Sequence, residues 1–257
     1  MKPFILTDLD DCLFGTRRKV PEDQSEGLTL ASRLIDGSPS GYFTRRQKHM
    51  LESLFELGTV IPVTARSLDA FRRVDIAWRA EAVCAHGGLV VAADGQIDRD
   101  WLAQVRAVQS ASALDVTSAY ALLDAEIGEA AGYRHWIVDE PIEGESPLTL
   151  YIVVKHEARE EAALAPLGRA MRAALGDGWA VHLNGNNLAI MPRWLGKRSA
   201  VRFLLDRIRT DHPHAPVIGM GDSHSDIGFL SECDYMMTPS RGQIAESIRQ
   251  VELDAAA

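Results

Sequence analysis

The order of apolar and amphipathic segments constrains the fold of this chain more than any other feature. Short apolar runs such as "PFILTD" and "TVIPVT" are predicted strands, and amphipathic helical patterns stand after them. The stretch "TRRQKHMLESLFELG" is one such helix, with Thr44 as its expected N-cap and Gly58 at its end. The stretch "SLDAFRRVDIAWRA" is a second predicted helix. Strands that alternate with helices favour a parallel sheet flanked by helices.

The middle of the chain follows a different pattern. It holds four predicted strands, "YRHWIVDE", "LTLYIVVKH", "GWAVHLNG" and "NNLAIMP", which lie among only two helical stretches. The alternating pattern returns near the C-terminus, with the strands "APVIGMGD" and "CDYMMTP" and the helix "SRGQIAESIRQ". We therefore predict an α/β protein in which a parallel-sheet domain, residues 1–85 and 191–257, carries an inserted α+β domain, residues 86–190.

Composition excludes several classes of protein. The formal net charge is −9 over 257 residues, whereas the surface of a nucleic-acid-binding protein is usually basic. No apolar run reaches the roughly 18 residues that a membrane span needs, and the N-terminal segment lacks the pattern of a signal peptide. The three cysteines are widely spaced, which favours reduced thiols. We expect a cytoplasmic protein that acts on a small molecule; the oligomeric state stays open.

Three carboxylates stand within four residues, Asp8, Asp10 and Asp11, directly after the first predicted strand. Like charges this close destabilise one another unless a cation joins them. A calcium loop of the EF-hand type would need a Glu at its twelfth position, and counting from Asp8 that position is Lys19. An Asp-rich turn and a catalytic cluster remain as interpretations.

Further polar residues follow other predicted strands or begin helices. Thr64 ends "VIPVT", Lys197 begins the helix after "MPRWLG", and Asp222 and Asp226 lie in "GMGDSHSD". Because active sites of open parallel sheets lie at the carboxyl ends of the strands, we expect these side chains to converge. A carboxylate can attack phosphorus, a second can transfer protons, and Mg²⁺ joins clustered carboxylates to a phosphate oxygen. A lysine and a hydroxyl would neutralise and orient the remaining phosphate oxygens.

The motifs "DLDDC", "VTARS", "GKRSA" and "GDSHSD" resemble, in this order, the four motifs of the haloacid dehalogenase-like (HAD) phosphohydrolases. The insertion resembles the cap of the Cof-type and sucrose-phosphatase-like branch. The resemblance implies a Rossmann-like parallel-sheet core with an α+β cap, and a Mg²⁺-dependent phosphomonoester phosphatase. Its substrate would be a small phosphorylated metabolite, a sugar phosphate above all. A phosphosugar mutase and a non-catalytic ligand-binding protein are the alternatives.

The resemblance also implies roles for single residues. Asp8 would be the nucleophile and a Mg²⁺ ligand, and Asp10 the general acid and base, with its backbone carbonyl on the metal. Asp222 would be a further metal ligand and Asp226 would support the metal site. Phosphate would be held by Thr64, Ala65 and Lys197, and a substrate contact is predicted for Arg66. Independently of the resemblance, the amides of Asn184, Asn186 and Asn187 could bond sugar hydroxyls, which predicts a substrate contact for Asn187. A turn between two strands is the other interpretation of "NGNN".

Other positions depart from the family pattern or lie outside its motifs. Asp11 and Cys12 stand where the family commonly has Gly-Thr. His86 lies in "AHGG", where the family commonly has a turn similar to "SNGA". Residues 14–43 exceed what an ordinary connection needs. The alternating "LTLASRLI" followed by Asp36-Gly37 suggests a β-hairpin flap there, and a disordered polar loop is the alternative.

Overall fold

The computed structural model describes residues 2–255. Internal contacts divide them into two compact units, residues 2–102 with 196–255 and residues 103–195. The second unit therefore begins at residue 103 and ends at residue 195, whereas the predicted inserted domain begins at 86 and ends at 190. The difference is larger at the first boundary. Residues 86–102 stay with the first unit because the strand Leu89–Val91 pairs with Ala82–Cys84. The indole of Trp101 also packs on Phe203, with ring centroids 5.1 Å apart.

The strands, in chain order, are β1 (Phe4–Thr7), β2 (Gly15–Thr16), β3 (Thr29–Arg33), β4 (Pro39–Phe43), β5 (Thr59–Pro62), β6 (Ala82–Cys84), β7 (Leu89–Val91), β8 (Tyr133–Glu140), β9 (Leu148–His156), β10 (Trp179–Asn184), β11 (Asn187–Pro192), β12 (Val217–Met220) and β13 (Tyr235–Met237). The helices are α1 (Arg45–Leu57), α2 (Leu68–Arg72), α3 (Arg99–Ala111), α4 (Val116–Ile127), α5 (Glu161–Leu175), α6 (Lys197–Asp211), α7 (Ile227–Leu230) and α8 (Gln243–Ala255). None of these helices combines the length and the apolar character needed to cross a membrane.

The first unit is organised by the predicted parallel sheet, whose strand order is β13-β12-β1-β5. Thr7, the last residue of β1, pairs with Pro62 on one side and with Met220 on the other. Strands buried on both faces carry near-continuous apolar runs, and Ile5, Leu6 and Ile61 are fully buried here. The register brings the carboxyl ends of β1, β5 and β12 to one edge of the sheet.

Helix α1 begins and ends where the sequence predicts. The Thr44 hydroxyl accepts a bond from the backbone N–H of Gln47, and the Gln47 side chain accepts one from the Thr44 N–H, which makes a capping box. Gly58 follows the last residue of the helix. Leu51 and Leu54 are buried, so the apolar face of the helix packs inward.

The second predicted helix is wrong in its length. Ser67 caps α2 as a helix start requires, but the helix ends after five residues, at Arg72. Beyond it the backbone bonds to β3 instead: the Asp75 N–H donates to the Ala31 carbonyl at 2.8 Å. The neighbouring strand therefore accepts a hydrogen bond from a backbone N–H that would have bonded within the helix if the helix had continued.

Residues 14–43, for which the sequence suggests either a β-hairpin or a disordered polar loop, contain a β-hairpin. β3 and β4 pair antiparallel, and β2 extends them to three strands in the order β2-β4-β3. The Asp36 carboxylate accepts the Ser38 N–H at the turn, and Gly37 takes a φ of +80°. The hairpin interpretation is confirmed.

The second unit contains the four predicted strands of the middle region, in an antiparallel sheet with the order β10-β11-β9-β8. Helices α4 and α5 pack on one face, where Leu123 and Leu164 meet Ile152 and Leu188 in a buried core. Helix α3 is not among the predicted elements, although Asp98 marks its start by accepting the Trp101 N–H at 2.9 Å.

Candidate active site

Asp8 lies at the carboxyl end of the central strand β1. Its N–H donates to the Met220 carbonyl at 2.8 Å, which continues the sheet pairing by one residue, and its side chain is buried. The chain then turns, and Asp11 adopts a left-handed backbone with a φ of +64°. That conformation explains why glycine suits this position, and aspartate is among the residues that tolerate it. Lys19 pairs with the Asp11 carboxylate.

Lys197 begins α6 and joins two carboxylates. Its Nζ lies 2.6 Å from Asp8 Oδ1 and 2.7 Å from Asp226 Oδ1, and its side chain is only 3% exposed. Burial by itself would lower the pKa of Lys197, but the carboxylates of Asp226 and Asp8 hold it above its usual value. The lysine therefore carries a positive charge at the end of β1.

Asp226 organises the loop after β12. Its Oδ2 accepts hydrogen bonds from the Asp222 N–H, the Ser223 N–H and the Ser223 hydroxyl, while its Oδ1 faces Lys197. Burial raises the pKa of Asp226, but Lys197 and these bonds outweigh it and lower the pKa below its ordinary value. With both of its oxygens occupied, Asp226 holds the loop and the lysine in place.

Asp222 differs from Asp226 in having no hydrogen bond to its carboxylate from any residue between 2 and 255. Burial, followed by the charges of Asp226 and Asp11, raises the pKa of Asp222 to about 7. The pKa of Asp8 is also raised well above its usual value, mainly by burial, although Lys197 acts in the opposite direction. Both carboxylates therefore lack part of the positive charge that their ionised forms require.

The charges and the donor atoms fit a divalent cation. Oxygen atoms of Asp8, Asp222 and Asp226 all lie within 4.8 Å of one another. Three carboxylates beside one ammonium leave two negative charges uncompensated, and carboxylate oxygens are the donors that Mg²⁺ prefers. Of these three carboxylates, Asp8 and Asp222 are the ones that would hold the metal, because both oxygens of Asp226 already accept hydrogen bonds. The backbone carbonyl of Asp10 stays a predicted ligand.

Asp10 is turned toward Arg66. The guanidinium Nε donates to Asp10 Oδ2 and the Nη2 donates to Asp10 Oδ1, both at 2.7 Å. Burial would lower the pKa of Arg66, but the Asp10 carboxylate raises it. From the sequence, a substrate contact is expected for Arg66. The structure shows its guanidinium on Asp10, a pairing that no sequence signal marks.

Thr64 lies at the end of the neighbouring strand β5, fully buried. Its N–H donates to the Val83 carbonyl at 2.8 Å, and its hydroxyl oxygen accepts the Arg66 N–H at 3.1 Å, which leaves the hydroxyl proton to be donated elsewhere. Ala65 follows in the same loop and is half-buried. The turn at Ala85 and His86, where both residues have positive φ, is bonded to this loop through the Thr64 and Arg66 carbonyls.

The remaining predicted residues fall into two groups. Cys12 is buried, and burial together with the nearby charge of Asp8 raises the pKa of its thiol well above the usual value, so it is a poor nucleophile. Asn184 and Asn187 face each other at the end of the hairpin β10–β11 in the second unit. Asn186 lies in the turn between them, and its Oδ1 accepts the His156 N–H at 2.9 Å. The turn interpretation of "NGNN" therefore holds, and the substrate role of Asn187 stays a prediction.

Known structures share this fold at low sequence identity. A sucrose-phosphatase from Synechocystis sp. PCC6803, solved with sucrose and phosphate, is 15% identical with a TM-score of 0.53, over 98% of this chain and 87% of that one. The C-terminal domain of a trehalose-6-phosphate phosphatase from C. albicans is 11% identical with a TM-score of 0.56, over 90% and 73% of the two chains. A haloacid dehalogenase-like hydrolase from B. subtilis is 14% identical with a TM-score of 0.50, over 93% and 95%.

No protein-family model matches the sequence, and no curated protein matches it significantly. The structural likeness extends over nearly the whole chain, through the parallel sheet and the inserted α+β unit alike. The fold expected from the four motifs, that of the haloacid dehalogenase-like hydrolases, is confirmed.

Proposed function

We propose that this protein is a Mg²⁺-dependent phosphomonoester phosphatase that acts through an aspartyl-phosphate intermediate. The observation that carries the proposal is the position of Asp8, whose carboxylate is bonded to Lys197 and lies beside the unpaired carboxylate of Asp222. A buried carboxylate next to a fixed ammonium and a second acid suits attack on an anionic phosphoryl group better than it suits a structural role. The shared fold with phosphatases supports the same reaction class.

The proposed reaction has two steps. Asp8 attacks phosphorus and the bond to the leaving alcohol breaks, while Asp10 gives its proton to the departing oxygen. Asp10 then takes a proton from water as the water oxygen attacks the phosphoryl group, which frees phosphate and restores Asp8. Lys197 and the Thr64 hydroxyl neutralise and orient the phosphoryl oxygens. Asp8 and Asp222 would hold a Mg²⁺ ion, which would supply further positive charge to the phosphoryl oxygens.

We assign sugar phosphates as the substrate class. Two of the proteins with this fold are named as phosphatases of sugar phosphates, a sucrose-phosphatase and a trehalose-6-phosphate phosphatase. In addition, side-chain amides such as those of Asn184 and Asn187 can both donate hydrogen bonds to sugar hydroxyls and accept them. The assignment predicts a higher kcat/KM for a hexose 6-phosphate than for p-nitrophenyl phosphate. The Asn187→Ala variant should lose rate on the sugar phosphate only; an equal loss on both compounds would remove this argument for sugars.

The activity is tested with p-nitrophenyl phosphate and Mg²⁺. We expect turnover that EDTA abolishes and added Mg²⁺ restores. The Asp8→Asn variant should fall below about a hundredth of the wild-type kcat, a factor worth about 2.7 kcal/mol of barrier. Asp23→Asn, at an exposed carboxylate of the same unit, is the matched control and should keep full activity. An Asp8→Asn variant that keeps its rate would exclude covalent catalysis at this residue.

A further inference from the structure

Arg66 binds both oxygens of the Asp10 carboxylate. The two N–H···O bonds, each 2.7 Å long, run in parallel, an arrangement that fixes the plane of the carboxylate as well as its position. The Asp10 side chain is otherwise open, with 48% of its surface exposed, whereas Arg66 is only 16% exposed. The orientation of the more exposed carboxylate is therefore set by the more buried guanidinium.

Arg66 is itself held from three further sides. Its Nη1 donates to the Ala70 carbonyl at 3.3 Å, its Nη2 approaches the Ser32 hydroxyl at 3.4 Å, and its guanidinium carbon lies 5.2 Å from the centre of the Phe14 ring. Four of the five guanidinium N–H donors thus have protein acceptors. Such a group is poorly placed to bind a substrate phosphate as well.

The hairpin of residues 29–43 provides part of this support. Ser32 on β3 is fully buried, and so is Phe14 just before β2. Gly41 on β4 makes room for both: a Cβ at this position would lie 2.5 Å from the Ser32 hydroxyl oxygen and 2.9 Å from the Phe14 ring. The hairpin therefore packs Ser32 and Phe14 against the arginine that holds Asp10.

We propose that Arg66 is a positioning residue, which orients the Asp10 carboxylate to take the proton from the attacking water, and that the hairpin keeps Arg66 in place. The inference rests on the proposed function, in which Asp10 passes its proton to the leaving oxygen and recovers one from water. It replaces the substrate contact expected from the sequence. It also gives the long connection between Asp10 and Thr64 a role at the site.

The first test separates positioning from phosphate binding. In Arg66→Gln, we expect kcat for p-nitrophenyl phosphate to fall at least about tenfold, within the range of general acid–base effects, while KM changes less than about twofold. The dissociation constant of inorganic phosphate, measured by calorimetry with Mg²⁺, should also stay within about twofold. Arg66→Lys, which keeps the charge and one bond, is the milder variant if the glutamine weakens the fold. A kcat that stays unchanged, or a large rise in the phosphate dissociation constant, overturns the proposal.

The second test is a double-mutant cycle with Asp10→Asn. If Arg66 acts through Asp10, then Arg66→Gln should cost less than about twofold in an Asp10→Asn background. Equal losses in both backgrounds would show that Arg66 acts on the substrate or on the fold. Should the Asp10→Asn rate fall below detection, the phosphate titration and the division between kcat and KM decide.

The matched control is Arg73→Gln. Arg73 also reaches the hairpin, through its Nε bond to the Arg33 carbonyl at 3.3 Å, but it does not contact Asp10. We expect its kcat to stay within about twofold of wild type; a loss as large as that of Arg66→Gln would make loosening of the hairpin the cause. The two proposals fail in different experiments. An Asp8→Asn variant that remains active would refute the proposed function, whereas the double-mutant cycle measures the coupling between Arg66 and Asp10.

Discussion

Replacing Asp222 by Asn should make the metal-free protein more stable at pH 8. The carboxylate is buried and accepts no hydrogen bond within residues 2–255, so its ionised form is unfavourable in the folded protein. Asparagine has nearly the same shape and carries no charge. The substitution therefore removes the unfavourable charge and leaves the packing almost unchanged.

The size of the effect follows from the pKa. Burial and the charges of Asp226 and Asp11 raise the pKa of Asp222 from 3.8 to about 7. A folded-state pKa above the unfolded value means that the folded protein binds the extra proton between these two pH values, so the free energy of unfolding falls as the pH rises through them. The full difference is worth about 4 kcal/mol. Asp222→Asn should recover up to about this amount at pH 8 and almost nothing at pH 4.

Thermal unfolding in chelator-treated buffer at pH 4, 6 and 8 measures the effect, with Asp23→Asn as a surface control that should unfold like the wild type. Added Mg²⁺ supplies the second half of the test. A ligand that binds only the folded state at 100 times its dissociation constant stabilises by about 2.7 kcal/mol. We expect that gain for the wild type and little of it for Asp222→Asn.

Two results would refute the reasoning. A metal-free Asp222→Asn variant that is less stable than the wild type at pH 8 would show that the protein itself stabilises the charged carboxylate. Equal stabilisation of both proteins by Mg²⁺ would show that Asp222 does not hold the metal.

Two further predictions concern the groups around Asp8. Lys197→Met leaves Asp8 and Asp226 facing each other without the ammonium that lies 2.6 and 2.7 Å from them, so the free energy of unfolding should drop by about 3–5 kcal/mol at pH 8. The loss should be smaller at pH 5, where the carboxylates take up protons; urea unfolding at both pH values checks this, with the exposed Lys48→Met as control. Gly221→Ala would place a Cβ 2.7 Å from the Cβ of Asp226, which should cost about 1–3 kcal/mol and displace the loop, with kcat falling at least tenfold. Gly228→Ala is the control, because its new Cβ would lie at an ordinary 3.5 Å from Arg198, so stability and kcat should both be retained. A Gly221→Ala variant with normal kcat would contradict the close packing of Gly221 against Asp226.

The elements that depend on local sequence were predictable. Thr44 and Gly58 bound α1 because a capping box and a terminal glycine satisfy backbone groups within a few residues of each other. The strands of the second unit were read from apolar runs, and β8 and β9 match them in full. The convergence of Asp8 and Asp222 followed from one general property, that parallel strands present their carboxyl ends at the same edge.

What the sequence left undecided depended on partners distant along the chain. Helix α2 ends early because the residues after it bond to β3, and the first boundary between the units lies later because Trp101 packs on Phe203. Asp222 and Asp226 look alike in "GDSHSD", yet only the fold brings Lys197 to Asp226 and leaves Asp222 unpaired. Arg66 meets Asp10 across 56 positions of sequence. Local patterns determine which elements form and where chemical groups end each strand, whereas the charge state and orientation of those groups depend on neighbours that only packing brings together.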